Sequence, residues 1–403
     1  MLAVRLCQIR HVRICLVHNQ YGSFSGEEAV VEGLSGLLHA HGHEVYRFLR
    51  SSAEIPNMRL GKVRALLTGL HSPVSCRKMR QVLRERRPDV VHVHNVYPLI
   101  SPSVLRICRR AGVAVVMTVH NYRLMCPNGL HLSRGEVCER CLGGREYWCV
   151  LRNCEGSLPK SLGYALRNWV ARKRRMFLDN VTMYAALTEF QRQRLIAEGF
   201  PAERIAVIPN MVSATDGQVE PRLGDYVGYV GRISPEKGVA HLLSAARRLT
   251  DIAFKAAGSY DRMPHLPGDA PANFEFLGQL GAERLNGFYS QARMLVLPST
   301  WFEGFPMTIA EAMVRGKPVV CSRIGGLQEI VDDGVTGLLF EPGNVEDLAE
   351  KIRYLWDRPD LCRKMGQAGR EKVLREYLPE KYYERLMAVY EKALALGPGG
   401  PHD

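Results

Sequence analysis

Glu303 and Glu311 lie eight residues apart in the stretch S-T-W-F-E-G-F-P-M-T-I-A-E-A-M-V-R-G, residues 299–316. The apolar run 294–298 ahead of it reads as a buried strand. Pro306 and Thr308 then mark a helix start, which Ala310, Ala312 and Met313 continue. That geometry sets Glu303 in the loop at the strand's carboxyl end and Glu311 inside the following helix. In an open α/β sheet, ligands bind outside the carboxyl ends of the strands. A helix amino terminus there offers an anion free N–H groups and a partial positive charge. Carboxylates repel a phosphate but accept hydrogen bonds from hydroxyls. The pair therefore suits hydroxyl-rich groups flanking a phosphate, which is the make-up of a nucleotide sugar. The plainer alternative is a solvated loop glutamate and a helix-face glutamate.

Cations come from a second segment, G-R-I-S-P-E-K-G at residues 231–238. Arg232 and Lys237 follow a predicted strand, 226–231, and open a helix at Pro235. Arginine supplies a planar fork for phosphate oxygens and lysine a mobile point charge. A cation at a helix amino terminus opposes the macrodipole, so its presence there asks for a reason such as a diphosphate. The alternative is two exposed basic residues. The chain has no Asp-x-Asp, the close carboxylate pair with which a divalent metal would be held beside a departing diphosphate. Arg232, Lys237 and helix amino termini would have to supply that charge, which points to chemistry needing no metal cofactor.

The elements that must position these groups alternate. Strands are predicted at 12–18, 43–48, 90–94, 113–119, 181–187 and 205–208, with helices between them, including 27–41, 77–87 and 166–177. A segment rich in Pro, Gly, Ser and Asp at 209–224 reads as a linker. A second series follows, with strands at 226–231, 253–257, 274–278, 294–298, 318–322 and 337–340, and a last helix at 381–396. Such alternation predicts α/β doubly wound parallel sheets. The expected division is 1–208, 209–380, and a closing helix and tail at 381–403. In the first part, the glycine- and serine-rich turn 19–26, ending at Gly26, allows close backbone approach to a ligand, and T-V-H-N sets His120 at a strand's carboxyl edge. A capped polar residue is the plain reading of that histidine.

A chain of 403 residues with 46% hydrophobic and 24% charged residues is globular in composition. Its formal charge of +13 is unevenly spread: 31 Lys and Arg against 15 Asp and Glu in residues 1–208, and 23 against 26 in the remainder. The first half, net +16, is expected to meet something anionic, whereas the second is net −3. No nucleic-acid-binding module is recognisable, so nucleic acid is not an expected partner. An anionic membrane surface or a phosphorylated, lipid-linked acceptor is preferred. No apolar run is long enough to span a bilayer, and Arg5, Arg10 and Arg13 interrupt any signal-like apolar core. The expected location is cytoplasmic, with the inner face of the membrane as the candidate surface. Helix 166–177, with Trp169, Phe177 and a run of basic residues, is either a solvated face or the part that rests on anionic lipid.

Three segments, G-R-I-S-P-E-K-G, E-G-F-P-M-T-I-A-E-A and G-G-L-Q-E-I-V-x-D-G-x-T-G, resemble glycosyltransferase family 4. The loop Y-G-S-F-S-G, P-D-V-V-H-V-H-N, T-V-H-N and A-L-T-E-F-Q of the first half are similar to it too. The resemblance runs from about Val12 to Leu394. It implies the GT-B fold, two Rossmann-like domains facing across a cleft, and retaining transfer of a glycosyl group from a nucleotide diphosphate sugar to a saccharide or lipid-linked acceptor. By the same resemblance, Glu303 sits beside the donor sugar and Glu311 holds the ribose hydroxyls. Arg232 and Lys237 bind the diphosphate, the loop ending at Gly26 approaches it, and His120 faces the reacting centre. Gly304, Phe305, Pro306 and Glu329 line the cleft, which the turn 325–329 closes near the nucleotide. The loop S-F-S-G departs from the two adjacent glycines common in the family. Intact site residues speak against a binding subunit without turnover, and the missing G-x-G-x-x-G speaks against a dinucleotide oxidoreductase.

Eleven cysteines without a secretion signal do not predict a disulfide framework. Five fall in the aperiodic segment 125–159. Cys138-x-x-Cys141 has metal-ligand spacing, and Cys149 with Cys154 could complete a tetrahedral structural zinc site. Reduced, packed cysteines are the alternative.

Overall fold

The computed structural model describes residues 11–22, 25–214 and 223–398. The lead-in before residue 11, Ser23 and Phe24 of the glycine-bearing turn, the centre of the linker and the last five residues lie outside the described part.

Six parallel strands form the first sheet: β1 (Arg13–Gln20), β2 (Glu44–Ser51), β3 (Val90–Asn95), β4 (Ala114–Val119), β5 (Met183–Ala186) and β6 (Ile205–Val207), in the order β2-β1-β3-β4-β5-β6. The second sheet holds β7 (Tyr226–Val230), β8 (Ala253–Ala257), β9 (Phe274–Gly278), β10 (Ala292–Leu297), β11 (Val319–Ser322) and β12 (Gly337–Phe340), in the order β9-β8-β7-β10-β11-β12. Both are doubly wound. The central strands β3, β4 and β7 are buried at every residue, because helices cover both faces of a parallel sheet. The direction of winding reverses between β1 and β3 in one sheet and between β7 and β10 in the other, and those reversals open the crevices where α/β sheets bind ligands.

Helix boundaries follow local chemistry. Helix α1 (Gly26–Ala40) starts at Ser25, whose extended backbone and hydroxyl cap the Glu28 N–H. After β7 the chain makes a single tight turn, Pro235–Lys237, before Gly238 takes a left-handed φ of 69° and α2 (Val239–Arg248) begins. The helix expected to open at Pro235 is thus split by a glycine. Helix α3 (Met307–Val314) carries Glu311. The basic helix is α4 (Leu158–Lys173), not 166–177: Pro159, at a first-turn position that favours proline, lets it begin eight residues earlier. Phe177 lies beyond its end and is buried, while Trp169 is exposed.

The closing helix α5 (Pro379–Leu396) packs on the first sheet. Its Tyr382, Leu386, Tyr390 and Ala393 are buried with Ile14, Leu16, Val90 and Val116. Among the described residues no helix is long and apolar enough to cross a membrane.

Candidate functional site

At the switch point of the second sheet, the turn after β7 and the loop after β10 meet. Glu303, 4% exposed, receives Lys237 Nζ at 2.8 Å on Oε1 and 3.0 Å on Oε2. Ser299 Oγ donates to Oε1 at 2.5 Å and Trp301 Nε1 at 2.9 Å. Lys237 also lies 5.5 Å from the centre of the Trp301 ring. The structure therefore joins two charged residues of the predicted site, Lys237 and Glu303, into one ion pair. Arg232 bonds Glu236 at 2.8 Å. Burial opposes ionisation of Glu236, yet its own backbone N–H, Ser234 and Arg232 outweigh that and hold the carboxyl below its ordinary value. Glu311 accepts a 2.6 Å hydrogen bond from Tyr289 Oη.

The first sheet meets this loop through T-V-H-N. A Cβ on Gly304 would lie 2.9 Å from the His120 carbonyl oxygen, so glycine is what allows the two backbones to touch. Tyr122 Oη donates to the Glu303 carbonyl at 3.2 Å. Phe305 is turned inward onto Tyr377, with ring centres 5.1 Å apart, and Pro306 precedes the first residue of α3. Gly26 opens α1 with free space where a Cβ would stand. Glu329 does something the sequence did not disclose. Its carboxylate accepts the Glu189 and Phe190 N–H groups at 2.7 and 2.6 Å, capping the helix Glu189–Ala197 of the first domain. Both oxygens are engaged there, so in this arrangement Glu329 fastens the two halves together.

Comparison with known proteins agrees with this architecture. Residues 25–211 match the family model "Glycosyl transferase 4-like domain", and residues 218–372 match "Glycosyl transferases group 1". Together these two models account for most of the chain. The chain belongs to glycosyltransferase family 4. An uncharacterized glycosyltransferase of Methanocaldococcus jannaschii is 35% identical over 168 residues, 41% of this chain and 47% of that protein. The alpha-maltose-1-phosphate synthase of Mycolicibacterium smegmatis is 29% identical over 268 residues, 58% of this chain and 68% of that protein. The match to the archaeal relative thus spans about half its length. Among solved structures, the sucrose-phosphate synthase of Thermosynechococcus elongatus superposes with a TM-score of 0.71 at 18% identity, covering 95% of this chain and 99% of its own. Anabaena HepE, solved with UDP and glucose, gives 0.63 at 18% identity over 94% and 100%. These likenesses establish the GT-B fold.

His120 belongs to a larger group than its motif suggested. His120 Nε2 and His94 Nδ1 are 2.8 Å apart, and the His94 ring stacks on His92 with centres 4.4 Å apart. His92 bonds Thr118 Oγ1 at 2.8 Å and Tyr390 Oη, from the crossing helix, at 2.7 Å. The V-H-V-H alternation was the available signal, since a period of two puts His92 and His94 on one face of β3. Beside them, Glu27 accepts from Tyr21 Oη at 2.8 Å and from Asn121 Nδ2 at 3.1 Å.

Burial pushes His92 down to about 3 and His120 to about 4, and holds His94 well below the ordinary imidazole value, with the neighbouring histidines adding repulsion. All three are uncharged at neutral pH. Unfolded histidines protonate near pH 6.5, so below that value the unfolded chain binds more protons and the fold loses stability as the pH falls toward 4. Melting curves between pH 7.5 and 4.5 are expected to show a fall of about 10 °C, beginning near 6.5.

Three of the four cysteines of the expected site pack together. Cys141, Cys149 and Cys154 share one small cluster, and the thiol of Cys126 donates to Asn128 Oδ1 at 3.0 Å. Cys138, partly exposed, is not a member of that cluster. Among the described residues no group of three or more His, Cys, Asp or Glu is arranged to hold a metal ion.

Proposed function

We propose that this chain transfers a glycosyl group from a nucleotide diphosphate sugar to an acceptor hydroxyl with retention of anomeric configuration. The observation that supports it most is the meeting of Lys237 and Glu303 with the His120 segment across the cleft. In this reading, Lys237 and Arg232 turn from their carboxylate partners to the diphosphate and stabilise its departing charge. Glu303, held in place by Ser299 and Trp301, accepts donor-sugar hydroxyls. His120, held neutral, accepts or donates a hydrogen bond at the sugar from the opposite wall. The backbone at Gly26, with free space where a Cβ would stand, approaches the donor phosphate or the acceptor. The acceptor is a saccharide or a lipid-linked saccharide, in surface polysaccharide or glycolipid assembly at the inner face of the membrane.

A thermal-shift panel of UDP-, GDP- and ADP-sugars tests the proposal, followed by hydrolysis and transfer assays on the stabilising donors. At least one is expected to raise the melting temperature, and turnover is expected to persist in excess EDTA, because no metal takes part. A panel in which no nucleotide sugar stabilises the chain would sink the reading. Glu311 is assigned to the ribose hydroxyls, with Tyr289 Oη as its partner before the donor arrives. Glu311→Ala is expected to weaken nucleoside diphosphate binding by about 10- to 100-fold, the worth of hydrogen bonds to a charged group. Unchanged affinity by calorimetry would remove Glu311 from that role.

A further inference from the structure

The outward face of α4 is apolar where it should be wet. Leu158, Leu162, Leu166 and Trp169 are 60%, 57%, 40% and 47% exposed, and their spacing of four, four and three residues puts them in one stripe along the helix. The helix Gly61–Leu70 packs beside it. Gly163 lies so close to Leu66 that a Cβ would stand 2.6 Å from that side chain. Leu67 of that neighbour is 58% exposed, and Leu151, on the short helix Tyr147–Leu151 that also contacts α4, is 64% exposed. A lone exposed leucine means little; several on adjoining helices mark an interaction surface.

Charge says what kind. Between Glu54 and Glu85 the chain has seven Lys and Arg and no acidic residue, and between Glu155 and Asp179 it has six and none. Those two acid-free stretches contain the two contacting helices. Some of the cations are engaged: Arg167 is buried, and Lys160, Arg172 and Arg175 pair with Glu155, Glu146 and Asp179. Arg64, Lys173 and Arg174 are exposed around the stripe. An apolar stripe flanked by cations on a helix without acids matches the interface of an anionic bilayer, where apolar side chains enter the acyl boundary and cations meet lipid phosphate.

The inner face of the same helix reaches the cleft. Asn168 Nδ2 donates to the Arg123 carbonyl at 2.7 Å and Arg167 Nη2 to the Pro127 carbonyl at 3.0 Å, both in the loop that follows His120. One helix thus separates the exposed stripe from the candidate site.

We propose that the outward face of α4, with Leu67 and Leu151 beside it, docks this chain on an anionic lipid bilayer. Docking there holds the His120 side of the cleft within a helix diameter of the surface, in reach of an acceptor carried on lipid. The inference names the surface behind the membrane location proposed above, and it is read without turnover, so its failure leaves the transfer reading standing.

The test is co-sedimentation of the full chain with sucrose-loaded vesicles of phosphatidylcholine alone or with 30 mol% phosphatidylglycerol, roughly the anionic fraction at which a polybasic face binds. Binding is expected to the anionic vesicles, at least about tenfold weaker to neutral ones, and weaker as salt rises. Leu162→Ser with Trp169→Ser is expected to abolish it while leaving the melting temperature and any donor-induced shift unchanged. Wild-type chain that stays in the supernatant, or a double variant that sediments as well as wild type, overturns the proposal. A concentration-dependent dimer that the double variant loses, without vesicle binding, assigns the stripe to a second copy and overturns it too.

Discussion

Glu303→Ala is expected to lower kcat for transfer and for donor hydrolysis by about 10²- to 10³-fold, the range for loss of one preorganised polar group at a reacting centre. Three side chains aim their donors at this carboxylate, Lys237, Ser299 and Trp301. Removing it leaves the Lys237 ammonium, 16% exposed, without the charge that balances it. A stability cost is therefore expected as well, about 1–3 kcal/mol for a largely buried charged hydrogen-bond set. Glu303→Gln keeps the size but turns an amide N–H₂ toward one of these donors, so it is expected to recover stability only in part and activity hardly at all. Lys237→Ala attacks the same pair from the other side. Because the partners are in contact, the double variant should lose much less than the sum of the single losses. Steady-state kinetics at saturating donor, with melting temperatures, read both effects. A Glu303→Ala enzyme within threefold of wild-type kcat would mean that the ion pair is only architectural.

Gly238→Ala is expected to be the most damaging single-methyl change in the site, costing about 3 kcal/mol from left-handed strain and a backbone collision together. Gly238 has a φ of 69°, and an added Cβ would lie 1.8 Å from the Pro298 carbonyl oxygen. Neither atom can yield cheaply: Gly238 ends the turn that carries Lys237, and Pro298 leads into the loop that carries Glu303. The variant should show a depressed melting temperature and a raised donor KM, since the two halves of the ion pair are pushed apart. Gly316→Ala is the control. Its φ of 68° is nearly the same, but nothing lies within 4 Å of the added methyl, so it should cost only the backbone term, about 1 kcal/mol. If the two variants melt alike, the contact with Pro298 has no energetic weight.

Most of the architecture was legible in the residue order. Apolar runs of strand length, separated by amphipathic stretches, can only be buried as parallel sheets covered by helices, and the loops carrying Arg232, Lys237, Glu303 and His120 fall at strand ends by counting alone. Local chemistry governs these features, because backbone period and turn residues act over a few positions. Boundaries that depend on packing were less legible. Pro159 reads as a breaker until a first-turn position makes it a starter, and that one misplacement hid the exposed stripe of α4.

Partnerships were decided by the tertiary structure. Lys237 and Glu303 are 66 residues apart and were assigned to different parts of a donor, yet they pair with each other. Glu329 lies in a turn that looks like cleft lining, but its oxygens cap a helix 139 residues away in the other domain. His92 finds Tyr390 across 298 residues because the last helix returns to the first sheet. The reason is the same in each case. Sequence determines which groups a strand end or helix face offers, but a polar side chain takes the nearest complementary partner in space, and only the packing of distant segments brings that partner within hydrogen-bond reach.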